Sequence, residues 1–299
     1  MLPTILCVDL ALAIERDMNW RLPPIEIGDA LPLQTSSLPF PMPCLGVVMP
    51  VFNEAATVEE ILKRVLAQPC VQEVVAVDDG STDETAAILR EWPGKDPRVQ
   101  LVSHSVNRGK GAAIRTGLAL VSAPLLIIQD ADWEYDPQDY GRIIKPLRNG
   151  ESLVVYGSRY LEMPMHRGSR VFRWGVAVLN VMVRMLYGVR LTDEATCYKA
   201  AFTRLLRSMD LKCERFEFCP ELTAKVGRLG LSIREVPISY HPRGKAEGKK
   251  IRWVDGLSAM RTLWKWRHWS NLEQADSTDS TAVLDGSARP NRSVSAGMP

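Results

Sequence analysis

Leu125-Leu126-Ile127-Ile128-Gln129-Asp130-Ala131-Asp132 is the stretch that decides the fold. Four consecutive apolar residues read as a strand of a parallel sheet covered on both faces. The run stops at a carboxylate, a small residue and a second carboxylate. In open α/β sheets ligands bind outside the carboxyl ends of the strands, so these two acids are delivered to the place where a site forms. Asp-x-Asp there suits the holding of a divalent cation bridged to a diphosphate. Mg²⁺ and Mn²⁺ take oxygen ligands, usually one or two carboxylates, with phosphate and water completing the shell. A solvated Asp-x-Asp turn is the common alternative, and the rest of the chain decides between them.

Working outward, similar units precede this strand. Leu45 to Phe52 reads as a first buried strand, followed by a helix to about Ala67 with Val58, Ile61, Leu62 and Val65 at helical spacing. Val71 to Val77 forms a second strand ending in Asp78-Asp79-Gly80-Ser81-Thr82-Asp83. Val99 to Ser103 is a third, leading through Asn107-Arg108-Gly109-Lys110-Gly111 into a helix over Ala112–Val121. After Asp132 come a helix from about Pro137 to Leu147 and a fifth strand from Leu153 to Arg159. Strands alternating with helices over 45–160 predict an α/β, mostly parallel, Rossmann-like sheet with helices on both faces and the strand-end acids along one edge.

The second half changes character. Val171 to Val189 is apolar but carries Arg173, Asn180 and Arg184, which makes it an amphipathic helix. Phe216 to Leu229 reads as a further helix. Ile233 to Tyr240 reads as a strand whose Pro237 predicts an edge or bulged position. Gly244 to Lys250 is a basic loop and Trp253 to Trp266 a last helix. Residues 1–43 are Pro- and Leu-rich and read as an extended arm, and 270–299 as a disordered tail. The expected body is therefore 44–269, with a first half over 44–160 and a second over 161–269.

Composition narrows the classes. The chain has 299 residues, 46% apolar and 24% charged, as in an ordinary globular protein. Six scattered Cys without a C-x-x-C pair fit a reduced, cytoplasmic protein. No stretch of about 18 uncharged apolar residues predicts a spanning helix. Residues 1–14 lack a basic lead and run into Glu15, Arg16 and Asp17, which argues against a signal peptide. From Arg243 to Trp269 eight Lys/Arg face two acids beside several Trp, a combination that suits an anionic membrane surface. No nucleic-acid motif accompanies it, so no nucleic-acid partner is expected.

Three strand ends carry polar clusters: Asn53-Glu54, Asp78-Asp79 and Asp130/Asp132. Each has a bland reading, Asn53 as a helix cap and Asp78-Asp79 as a loop cap. Together they point to one nucleotide site. Arg108-Gly109-Lys110-Gly111 has the small residues and charge to approach a diphosphate at a helix start, without Walker spacing.

The ordered set resembles a family 2 glycosyltransferase of the GT-A fold, and most of all the polyprenol/dolichol-phosphate mannosyltransferase-like enzymes. The resemblance spans about 45–266. It rests on Pro50-x-Phe52-Asn53-Glu54, Val77-Asp78-Asp79-Gly80-Ser81-Thr82-Asp83-x-Thr85, Asn107-x-Gly109-Lys110-Gly111 and Asp130-Ala131-Asp132. Gly157-Ser158-Arg159-Tyr160, Glu235-Val236-Pro237-Ile238 and the Arg243…Gly248-Lys249-Lys250 loop extend it.

The resemblance implies a donor that is a UDP- or GDP-sugar. Asp79 would contact base or ribose, with Pro50, Phe52 and Glu54 around it. Lys110, Asp130, Ala131 and Asp132 would meet the diphosphate, Asp130 and Asp132 binding Mg²⁺ or Mn²⁺. Arg159, Arg173, Arg243 and Lys250 would surround an acceptor phosphate, although Arg173 reads equally well as surface charge. Asp130, Asp132, Arg159 and Glu221 are the candidate catalytic residues. Glu221, a match to a family acid, or Asp132 would be the base if the acceptor is a hydroxyl. Two departures stand out: Cys197 occupies a position where many relatives have Gly or Ser, and the C-terminal spanning helices frequent among lipid-linked enzymes are missing. The 171–189 helix and Trp264 to Trp269 then become candidates for peripheral contact at the cytoplasmic membrane face, or for plain packing on the sheet. The alternatives are the same donor chemistry onto a saccharide hydroxyl, and a non-catalytic nucleotide-sugar-binding scaffold.

Overall fold

The computed structural model describes residues 41–162, 170–243 and 253–270. The basic loop 244–250 with Lys250, the arm before residue 41 and the tail after residue 270 lie outside the described residues.

Seven strands form one sheet in the order β3-β2-β1-β4-β6-β5-β7. β1 (Leu45–Val51), β2 (Val71–Asp78), β3 (Val99–Ser103) and β4 (Leu125–Ile128) pair in parallel, as expected from their apolar runs. β1 and β4 are buried along nearly their whole length, as a sheet covered on both faces requires. β5 (Val154–Ser158) and β7 (Ile233–Pro237) pair in parallel on the far side. β7 is the edge, which is where Pro237 costs the sheet no ladder bond.

The sequence reading missed β6 (Lys199–Phe202), which runs antiparallel between β4 and β5. A four-residue run beginning with Lys carries no strand signature. Its lysine is nevertheless buried, because Lys199 Nζ donates to the Glu194 carbonyl at 2.7 Å and lies 3.6 Å from the Tyr156 ring.

Nine helices are described. α1 (Val58–Leu66) buries Val58, Ile61, Leu62 and Val65, with Glu59 and Glu60 in its first turn and Lys63 and Arg64 in its last, which suits the helix dipole. α2 (Thr85–Arg90) and the single turn α3 (Trp92–Lys95) follow β2. α4 (Lys110–Leu120) lies so close to β1 that a Cβ at Gly117 would stand 2.5 Å from Val48 Cγ1. α5 (Tyr140–Arg148) packs on the β5 side, and α7 (Thr203–Ser208) follows β6. α6 (Arg170–Tyr187), α8 (Phe218–Arg228) and α9 (Trp253–Lys265) share a second, smaller core of Leu179, Val183, Val189, Ala224, Ala259 and Leu263. Among the described residues no helix is long and apolar enough to cross a membrane.

Candidate active site

Register brings the strand ends together. Val51 pairs with Asp78 on one side of β1, and Val48 pairs with Ile128 on the other, so the polar residues that follow emerge along one edge. Asn53 turns the chain there in the left-handed region, at φ 50°. Its carbonyl-type Oδ1 accepts from Thr82 N at 2.8 Å, and its own N–H donates to Ser81 Oγ at 3.0 Å. The helix-cap reading of Asn53 thus gives way to a staple between the first two strand ends.

Asp79 is 2% exposed and fully engaged. Oδ1 accepts from Arg108 N at 2.9 Å and meets His104 Nδ1 at 2.7 Å, and Oδ2 accepts from Gly109 N at 2.7 Å. His104 Nε2 in turn lies 3.0 Å from Thr116 Oγ1. Asp79 therefore fixes the turn ahead of α4. Among the described residues its neighbour Asp78 accepts through Oδ1 alone, from Ser81 N at 3.0 Å, which leaves its other oxygen as the freer acceptor at this strand end.

Each acid of the Asp130–Asp132 pair faces a cation. Lys110, the first residue of α4, places Nζ 2.5 Å from Asp130 Oδ1 and 3.5 Å from Cys197 Sγ. Arg243 places Nη2 2.5 Å from Asp132 Oδ2 and its Nη1 and Nη2 on the Glu54 carboxylate at 3.1 and 3.2 Å. Phe52 and Pro50 lie on the same edge. Burial raises Asp130, but Lys110 and, less strongly, Arg243 hold its carboxyl below the usual value. Asp132 goes the other way: burial first and Asp130 second push it up to about 7, against the pull of Arg243. Three carboxylates, Glu54, Asp130 and Asp132, thus share two cations, Lys110 and Arg243. A divalent cation fits that surplus. Among the described residues no cluster of three His, Cys, Asp or Glu forms a cage, so a cation here would have the two aspartates as its protein ligands and would complete its shell with water or ligand oxygens.

Beyond the aspartates, Arg159 is 5% exposed and clasps Asp193 with two parallel bonds, Nε to Oδ2 and Nη2 to Oδ1, both 2.7 Å. The rings of Tyr240, Phe172 and Tyr160 surround its guanidinium at 5.0, 5.5 and 5.7 Å. Burial opposes its charge, but Asp193 more than compensates and holds it protonated. Glu235 accepts from Thr192 N at 2.7 Å and Asp193 N at 3.0 Å, which fixes the turn that carries Asp193. Arg173 lies partly buried on α6, near enough to act on the Tyr160 phenol.

Glu221 has a different place from the one its motif implied. It is fully buried on α8, with Oε2 accepting from Cys213 N at 2.7 Å and both oxygens accepting from Lys212 N. Lys225 Nζ stands 2.7 Å from Oε1. A carboxylate so enclosed cannot reach an acceptor proton, so Glu221 is not the base that the resemblance implied. His104, Asp193 and Tyr135, whose hydroxyl accepts from Cys197 N at 3.1 Å, were not recognised in the sequence. Their roles rest on contacts across 25 to 62 residues, and no local spacing signals those.

Strand-end acids along a mostly parallel seven-stranded sheet are the arrangement of the GT-A fold. The chain belongs to glycosyltransferase family 2: residues 46–212 match the family described as Glycosyl transferase family 2. It is 34% identical over 204 residues to an uncharacterized protein of Methanocaldococcus jannaschii, covering 64% of this chain and 79% of that one. It is 32% identical over 232 residues to the undecaprenyl-phosphate 4-deoxy-4-formamido-L-arabinose transferase of Pseudomonas aeruginosa, covering 75% of this chain and 63%, under two thirds, of the transferase. Among solved structures, glucosyl-3-phosphoglycerate synthase of Mycobacterium tuberculosis, in complex with Mn²⁺, UDP-glucose and phosphoglyceric acid, superposes with a TM-score of 0.57. It is 22% identical and covers 84% of this chain and 87% of its own. Mannosyl-3-phosphoglycerate synthase of Rubrobacter xylanophilus gives a TM-score of 0.56 at 17% identity, with coverage of 84% and 78%. These two likenesses concern the fold.

Proposed function

We propose that this glycosyltransferase moves a hexose, with inversion, from a UDP- or GDP-sugar to a polyprenyl phosphate at the cytoplasmic membrane face, using Mg²⁺ or Mn²⁺ held by Asp130 and Asp132. The metal, when bound, would neutralise charge on the departing nucleoside diphosphate. Asp78, with its freer oxygen, and Glu54 sit where base and ribose would be held, and Asp79 shapes the turn beside them. Lys110 and Arg243 pair with the two aspartates in the donor-free protein and offset part of their charge. Both are long enough to turn from carboxylate to diphosphate oxygens when the donor arrives. Arg159, buried and spent on Asp193, would brace the acceptor wall and not meet the phosphate itself, and Arg173 would set the electropositive ground on which an acceptor phosphate lies.

The observation that carries the acceptor reading is the commitment of the two candidate bases. Glu221 is buried in its own ion pair, and Asp132 is tied to Arg243 and to the cation site. A hydroxyl acceptor must lose a proton to a base. A phosphomonoester is already anionic and needs only positioning. The named activity of the Pseudomonas relative supports the same class.

Membrane contact fits the outer helices. Trp174 and Val181 lie seven residues apart on α6, and Leu257 and Trp264 seven apart on α9, so each pair shares a helix face and is exposed. Arg267 stacks 4.0 Å from the Trp264 ring, a pairing of aromatic and cation that suits a headgroup layer.

A second reading keeps the donor chemistry and uses a saccharide hydroxyl. Asp132, pushed up to about 7 at the end of β4, has the proton affinity that favours it. The deciding experiment incubates purified protein with polyprenyl phosphate and labelled UDP- and GDP-sugars, with Mg²⁺ or EDTA. Metal-dependent, acid-labile label in organic solvent is expected. Donor consumption that yields only water-soluble product contradicts the lipid acceptor and supports the second reading. No donor consumption contradicts both and leaves the scaffold.

A further inference from the structure

We infer that the buried Glu221–Lys225 pair is a positioning device for the donor diphosphate, acting through the 209–216 loop on the Gly109-Lys110-Gly111 turn. The inference rests on the nucleotide-sugar reading of that turn.

The two residues lie one helical turn apart on α8 and grip opposite sides of one loop. Glu221 accepts the Lys212 and Cys213 N–H groups, while Lys225 Nζ donates to the Met209 and Asp210 carbonyls at 3.0 and 2.9 Å. Between these grips the chain passes through Asp210 at φ 45°, a conformation that a non-glycine residue holds only when its surroundings enforce it. The Trp266 and Trp269 rings cap Lys225 at 4.0 and 5.2 Å and keep water from the pair.

The loop so held forms the floor of the turn that carries Lys110. Glu214 O accepts from Ala112 N at 2.9 Å, satisfying an amide in the first turn of α4. Cβ atoms added at Gly109 and Gly111 would stand 2.5 Å from Glu214 O and from Cys213 O. The glycines are therefore required by close backbone approach as well as by the φ of 100° at Gly109. Arg115, a turn further along α4, donates to Lys212 O at 3.2 Å, and the Phe216 ring lies 6.0 Å from Lys110 Nζ. A shift of this loop moves the backbone from which Lys110 reaches Asp130. Nothing in the pair touches substrate or the reacting atoms, so both are positioning residues. A buried ion pair is a weak source of stability compared with an apolar pair of the same volume. Its geometric role accounts for its presence better.

The test measures binding of UDP and GDP with Mn²⁺ by calorimetry, and donor KM and kcat, for Glu221→Gln, Lys225→Met and each combined with Lys110→Ala. Circular dichroism and urea unfolding establish that the variants are folded. About a tenfold loss in nucleotide affinity or donor KM is expected from each single variant, and little further loss in the Lys110→Ala background, as contacts acting in series require. Unchanged nucleotide affinity in a folded variant overturns the inference. So does an equal loss with and without Lys110, which marks a merely structural role. Should both α8 variants fail to fold, Gly111→Ala probes the same contact from the other side, and wild-type affinity there overturns the inference. Tight, Glu221-dependent nucleotide binding without sugar transfer to lipid phosphate upholds the inference and overturns the acceptor reading instead. No nucleotide binding by the wild type overturns the inference together with the donor reading on which it rests.

Discussion

In the metal-free protein, the Asp132 carboxyl makes stability fall as pH rises. Its value is lifted from 3.8 to about 7 in the folded state, chiefly by burial and then by Asp130. The unfolded chain releases this proton near 3.8, so between about pH 4 and 7 the folded state holds a proton that the unfolded state has lost. Stability declines through that window and levels off above it. At about 1.4 kcal/mol per pH unit the decline from this one carboxyl is about 4 kcal/mol. The side chain is only 10% exposed, so solvent screening removes little of it. Asp130, held low by Lys110 against its burial, loses its contribution only on further acidification and does not offset the effect in this window. The assay is urea unfolding in EDTA from pH 4.5 to 8 for the wild type and Asp132→Asn. Asparagine does not ionise, so the difference between the two curves reports Asp132 alone. The variant should gain about 3 kcal/mol relative to the wild type between pH 4.5 and 8. Mg²⁺ at pH 8 should close the gap by stabilising the wild type. A difference that stays constant with pH refutes the argument that the aspartate pair carries uncompensated charge.

Three further outcomes are expected. Asp130→Asn should lower sugar transfer by about 10²- to 10³-fold with the fold intact, measured as labelled product per enzyme, because charge stabilisation of the leaving diphosphate is lost. Arg159→Met should destabilise by about 3–5 kcal/mol in urea, since it leaves Asp193 buried without its partner. Leu257→Ser together with Trp264→Ser should reduce co-sedimentation with anionic vesicles about tenfold while leaving nucleotide binding unchanged, as removal of exposed apolar anchors predicts.

What could be read from the sequence followed the physics of each signal. β1, β2 and β4 are runs of Val, Ile and Leu that only a covered parallel sheet explains, and the acids that end them are adjacent in sequence to those runs. Pro237 announced an edge because proline lacks an amide donor. β6 was invisible: it is four residues long and starts with a lysine whose charge is met by the Glu194 carbonyl and the Tyr156 ring, partners that exist only after folding. The aspartates of the site were legible as residues but not as roles. Asp79 and Asp78 are neighbours of the same chemistry. Only the long-range contacts of Asp79 with His104, Arg108 and Gly109 show that it is spent on the turn while Asp78 keeps an oxygen free. Glu221 misled for the complementary reason, since a sequence match records a side chain and says nothing of the amides and the Lys225 ammonium that enclose it.

The reversed direction of β6 has one more consequence. The parallel strands β1, β2 and β4 present their exits to the site, whereas an antiparallel neighbour presents its entrance. The stretch before Lys199, with Asp193 and Cys197, therefore arrives at the same edge as Asp78 and Asp130 from the opposite direction along the chain. The acids of this edge are written before residue 133, and side chains that meet them there, Cys197 and Arg243 among them, are written after it. Two halves encoded in tandem can be recombined at a single crossover. A join near residue 150 would, however, part the Lys110 turn from the Cys213 and Glu214 carbonyls on which it rests, so the two sides of that contact have to be exchanged together.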